Sequence, residues 1–208
     1  MLALMRAISA GGGDVASRLL AATPALAVTQ LVTAGATRAT STEFFLPDCG
    51  VYLYAGHSAL HVAAAAYNTA FARELVVAGA NVRAKNRRGA EPLHEAVTGG
   101  PGSLHWDPRR QAEMVAYLIK AGADPNAVAA GGVTPLHRAV RNRCSAAVRA
   151  LLAGGADPHR ANDSGSTAMM LAGWTTGRGG TGSPAAKAEQ AKILSMLTAA
   201  EASNTRRS

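Results

Sequence analysis

The sequence predicts an all-α solenoid of about five stacked helix-turn-helix units, with β-hairpin-like fingers between them and degenerate units at both ends. Three observations predict it. Four segments recur in phase: Ser58-Ala59-Leu60-His61, Glu91-Pro92-Leu93-His94, Thr134-Pro135-Leu136-His137 and Thr167-Ala168-Met169-Met170. Leu60 to Leu93 spans 33 residues, Leu136 to Met169 also 33, and Leu93 to Leu136 spans 43, one period plus ten. A second landmark, Gly-Ala, recurs at Gly35-Ala36, Gly79-Ala80, Gly122-Ala123 and Gly155-Ala156, and the last three each lie 14 residues ahead of Leu93, Leu136 and Met169. The composition agrees: 48% of residues are hydrophobic but only 4% aromatic. Cores built from Ala, Leu and Val suit closely packed helices better than a sheet sandwich.

Residues 130–162 show how each element arises. Thr134 suits a helix N-cap and Pro135 the first helical position. Leu136, Ala139 and Val140 then share one helical face. A second helix carries Val148, Leu151 and Leu152 at the same spacing, and Gly155 suits the left-handed residue that ends it. One such pair cannot bury its apolar stripe alone, so the units must stack.

These phrases resemble the ankyrin repeat, whose signature is Thr-Pro-Leu-His-x-Ala at a 33-residue period. Gly132-Val133-Thr134-Pro135-Leu136-His137-Arg138-Ala139 is a close match, and the resemblance extends over roughly residues 14–200. The units read as about 14–47, 48–86, 87–129, 130–162 and 163–200. In the first, Ala16-Ser17 stand at the Leu-His position, with Val28, Leu31 and Val32 on the second helix. Residues 1–11 read as a further capping helix rather than a targeting peptide. The last unit replaces Leu-His by Met169-Met170, and its second helix runs from about Ala185 to Ala200 with Ile193, Met196 and Leu197 facing inward. Residues 201–208 read as a polar, frayed tail. The resemblance implies that His61, His94 and His137 hydrogen-bond backbone and tie neighbouring units together.

Three insertions break the period. Gly35 to Leu60 is 25 residues rather than 14, so the first finger carries eleven extra. Ten extra residues separate the helices of the third unit and twelve those of the last. The second insertion ends in Asp107-Pro108 and the third in Ser183-Pro184, each a cap residue followed by proline, which suggests one shared ledge. Phe44, Phe45, Tyr52 and Tyr54 gather in the extended finger, where they serve either as binding anchors or as a local mini-core. Trp106 and Trp174 carry the same two readings.

Net charge is +8. Arg83, Lys85, Arg87 and Arg88 crowd one finger, and Arg138, Arg141 and Arg143 follow on the next inner helix. In the architecture that the resemblance implies, fingers and first helices line one concave surface. The expected function is therefore non-catalytic protein–protein interaction, with a probably acidic protein as partner. The expected contacts are Arg87, Arg88, Arg138, Arg141, Asn142 and Trp174, with Phe44, Phe45, Tyr52 and Tyr54 in the finger. The alternative is nucleic-acid or anion binding by the basic finger and helix, though no recognition motif of the usual kinds is present.

No enzyme, cofactor or metal is expected. The repeated histidines are about 10 Å apart, one helix spacing, whereas zinc ligands lie about 2 Å from their ion. His105-Trp106-Asp107 orients no nucleophile. Gly177 to Ser183 lacks the lysine and the preceding strand of a phosphate-binding loop. Cys49 is expected near a finger tip and Cys144 beside a basic helix end that lowers its thiol pKa, yet neither has a base. Two cysteines do not make a disulfide scaffold, so a reducing, cytoplasmic setting is the simplest reading. No apolar run reaches the length of a membrane span.

Overall fold

A computed structural model describes residues 1–32, 42–174 and 183–205. The helices come in pairs: α1 (Leu2–Ser9) with α2 (Gly13–Ala22), then α3 (Ala59–Ala65) with α4 (Thr69–Val77), and α5 (Pro92–Glu95) with α6 (Pro108–Lys120). After them come α7 (Pro135–Arg141) with α8 (Ser145–Ala153), and α9 (Ala168–Gly173) with α10 (Pro184–Thr205). A 3-10 turn, Pro24–Ala27, follows α2, and β1 (Phe45–Leu46) pairs antiparallel with β2 (Val51–Tyr52). One continuous apolar core runs through all five pairs. Leu60, Leu93 and Leu136 occupy equivalent positions in it, each no more than 1% exposed.

The repeated Ser/Thr-x-Leu-His phrase builds both a helix start and a joint between units. The Thr134 hydroxyl accepts a bond from the His137 amide at 3.3 Å, which caps α7. The His137 Nδ1 in turn accepts the Thr134 amide at 3.1 Å. That fixes the tautomer: Nε2 carries the proton and donates to the Ser166 carbonyl of the next unit at 3.1 Å. His61 donates likewise to Ala90 at 3.0 Å, and His94 to Val133 at 3.1 Å. The bonds that the resemblance implied are therefore present. Gly79, Gly122 and Gly155, with φ of 93°, 102° and 89°, turn the chain out of each outer helix as their position requires.

The third unit departs from this pattern. Its inner helix α5 is one turn long, and its cap position holds Glu91 where other units have Ser58, Thr134 or Thr167. Glu91 is fully buried, neither carboxylate oxygen has a hydrogen-bond partner among the described residues, and burial raises its pKa. The Arg83 guanidinium, 3.9 Å away, compensates weakly. Glu91→Thr is expected to stabilise the fold by about 1–2 kcal/mol at neutral pH. Urea midpoints check this, and the gain should shrink as pH falls and the carboxyl of the parent protein protonates.

The two ends differ from the sequence reading. Leu4 and Met5, not Ala16 and Ser17, stand where Leu60 and His61 stand in the next unit, because Leu4-Met5-Arg6-Ala7 is a Leu-His-x-Ala phrase with methionine for histidine. Ala16 lies on α2, the outer helix. Val28 and Val32, expected inside, are 59% and 88% exposed. Leu31 is buried as a finger strand, its amide donating to His57 and its carbonyl accepting from Gly56. At the other end, Ile193 and Leu197 are buried as expected and Met196 is half-buried, but α10 continues to Thr205 through much of the expected tail. Gly35-Ala36 and the insertion at 175–182 lie outside the described residues, and with them half of the expected ledge.

Candidate functional site

The eleven-residue finger insertion does not project outward. Leu46, Val51 and Leu53 are buried, and Leu46 and Leu53 join the central core. The Arg6 guanidinium of α1 donates to the Glu43 carbonyl, and Asp48 and Cys49 share a cleft of about 310 Å³ with Ile8, Ala65 and Ala66. The hairpin is thus folded back against the inner helices of the first two units. Repeat register shows the consequence. Val62, Glu95 and Arg138 occupy one equivalent position, and Ala65, Thr98, Arg141 and Trp174 another. Val62 and Ala65 are buried, whereas Glu95, Thr98, Arg138 and Arg141 line an open groove.

That groove has a volume of about 550 Å³. Gly50, Val51, Tyr52 and Tyr54 form one wall, Asn86, Arg88, Ala130 and Val133 come from the fingers, and the inner-helix residues with Asn142 complete it. The fingers are held side by side by backbone bonds, Arg87 amide to Ala55 carbonyl and Ala130 amide to Arg88 carbonyl, both 2.8 Å. Asn86 stiffens its turn by accepting the Arg88 and Ala90 amides on its Oδ1. The Asn142 side chain donates to the carbonyls of Val97 and Thr98, at 2.7 and 3.1 Å, bracing α7 against the segment that follows short α5.

Charge in the groove is unbalanced. Glu95 Oε1 lies 3.5 Å from Arg138 and 3.9 Å from buried His57, so this carboxylate compensates Arg138. Arg88 and Arg141 are exposed and have no carboxylate at ion-pair distance among the described residues. The guanidinium carbons of Arg87 and Arg88 stand 4.5 and 5.5 Å from the centre of the Tyr54 ring, which orients that ring and both cations together. Burial lowers the pKa of His57 and keeps it neutral at physiological pH.

Of the residues expected from sequence, Tyr52, Tyr54, Arg88, Arg138, Arg141 and Asn142 line this one groove. Arg87 stacks behind Tyr54. Phe44 and Phe45 are half-buried, Phe45 packing on Tyr52 at 4.7 Å between ring centres. Trp174 is 51% exposed, one unit beyond Arg141 on the same row, and does not line the groove. Trp106 belongs to a local core: its indole N–H donates to Gln111, whose amide in turn reaches Tyr67, Ala96 and Gly99. Arg143, expected on the basic face, is buried with φ of 60° and donates to the carbonyls of Ala172 and Trp174. Cys144 is buried and its thiol is pushed up to about 12, the reverse of the expected direction, because desolvation outweighs the nearby helix end. Cys49 is half-buried rather than exposed, its thiol raised to about 11. Among the described residues no cluster of His, Cys, Asp or Glu could hold a metal ion, and no helix is long and apolar enough to cross a membrane.

The histidine joints, the glycine turns and the Leu-His phrases agree with a comparison against known families. The model for ankyrin repeats (3 copies) matches residues 4–129 and 108–179. The chain belongs to the ankyrin-repeat family. Ankyrin repeats are generally protein–protein interaction modules, and the family is typically non-catalytic. This ankyrin-repeat chain is 39% identical over 116 residues to ankyrin repeat and SOCS box protein 16 of Mus musculus, covering 54% of this chain and 24% of that protein. To the Homo sapiens protein of the same name it is 36% identical over 127 residues, covering 59% and 27%. The ankyrin-repeat chain thus spans about a quarter of these relatives' length.

Proposed function

We propose that this chain is a scaffold or adaptor module, working in a cytoplasmic setting, whose concave groove takes an acidic segment of another protein. One observation carries the reading: Arg88, Arg138 and Arg141 converge on a single groove in which Glu95 is the one carboxylate among the lining residues. An acidic segment supplies the missing countercharge, and the rigid finger and helix walls lower the ordering cost of binding. A second reading, a nucleic-acid or other anion binder, draws on the net charge of +8.

Peptide display against the full chain, repeated with the Arg88→Glu, Arg141→Glu double variant, tests both. Acid-rich peptides should be enriched, and the variant should bind them at least about tenfold more weakly, roughly 1.4 kcal/mol. Its circular dichroism should be unchanged, since both side chains are exposed. Enrichment without acidic residues, or equal binding by the variant, contradicts the reading. Sequence-independent DNA binding that falls steeply with salt would instead support the second.

A further inference from the structure

The outer edge of β2 borders the groove, and its hydrogen-bonding groups are unpaired there. Phe45 lies opposite Tyr52, and Leu46 opposite Val51. The Leu53 amide donates to the Phe44 carbonyl at 2.8 Å. Antiparallel strands alternate hydrogen-bonded and non-hydrogen-bonded pairs, so this bond makes Phe45 and Tyr52 a non-hydrogen-bonded pair. The backbone N–H and C=O of Tyr52 therefore point away from β1. Among the described residues neither has a hydrogen-bond partner. The groove lies on that side, for Gly50, Val51 and Tyr52 line it and no residue of β1 does.

We infer that the partner segment binds as an extended strand added to β2, pairing its main chain with Tyr52 and setting acidic side chains against Arg88 and Arg141. This rests on the acidic-groove reading above. Strand addition supplies affinity through main-chain bonds, and flanking side chains supply selectivity. Here the selectivity is for negative charge. Side chains on one face of an added strand recur about every 6.8 Å, so alternate acidic residues would face the guanidiniums together. The buried Val51 and Leu53 anchor the hairpin from behind, so its edge is presented on a fixed support.

The probe is a fluorescent octapeptide of alternating Glu and Val, titrated against the full chain, with two derivatives N-methylated on one or the other set of alternate residues. One derivative should bind at least tenfold more weakly than the parent and the other within about threefold, since only one set of amides faces β2. In the parent complex, hydrogen exchange at the Tyr52 amide should slow at least tenfold. Equal binding of both derivatives, with Tyr52 unprotected, overturns strand addition. If binding then still falls with salt and in the Arg88→Glu, Arg141→Glu variant, the acidic groove stands without the strand. If the parent peptide does not bind at low salt, or binds the variant equally well, the groove reading fails and strand addition with it.

Discussion

Below pH 6 the fold is expected to lose stability steeply, through the histidines that join its units. His61 and His94 have pKa values lowered from 6.5 to about 3, chiefly by burial. Each Nδ1 accepts a backbone amide, so a second ring proton would face another donor. The unfolded chain binds protons that the folded chain refuses, so stability is complete above about pH 6.5 and falls as pH drops toward 3. Each histidine contributes about 1.4 kcal/mol per pH unit in that window, so the two together remove about 4 kcal/mol by pH 5. His57 and His137, also shifted down by burial, act in the same direction. Glu91 acts oppositely, as one group against four. Urea midpoints measured between pH 7.5 and 4.5 should fall throughout, and a flat profile would show that the histidines tolerate charge in place.

Leu93→Ala is expected to cost about 3–5 kcal/mol and to divide the stack. Leu93 is fully buried, and truncating such a side chain loses transfer energy and leaves a cavity. The site has little else to hold it, because α5 is a single turn. Each unit contacts chiefly its neighbours, so a weakened third unit uncouples those on either side. Trp106 in the third unit and Trp174 in the last report on different parts of the stack. Single-tryptophan versions should unfold together in the parent protein and at separate urea concentrations in the variant. A loss under 1 kcal/mol with coincident transitions would contradict this.

Much of this architecture was legible because its physics is periodic. Leu60, Leu93 and Leu136 read as core from spacing alone, and the cap, histidine and glycine of each unit lie at fixed offsets. The groove was partly legible: Glu95 and Arg138 occupy the same position in consecutive units, so their meeting follows from register. What the period does not contain was misread. The N-terminal unit was counted back from Gly35 across extra residues, which passed over Leu4-Met5-Arg6-Ala7. The insertion's return onto the inner helices depends on Leu46, Val51 and Leu53 finding the core, a tertiary choice with no repeat to mark it. Arg143 and Cys144 read as a basic face and a reactive thiol because charge and composition do not reveal burial. His57 carried no signal, since Ala90 and Val133 hold the equivalent place.

The central claim is that partners enter the groove beside β2 and α7. Hydrogen exchange on the full chain, with and without an acidic peptide selected by display, tests it most directly. The account predicts slowed exchange at residues 50–54, 86–88, 95–98 and 138–142, with α4, α6 and α8 unchanged. Protection confined to those outer helices would contradict it.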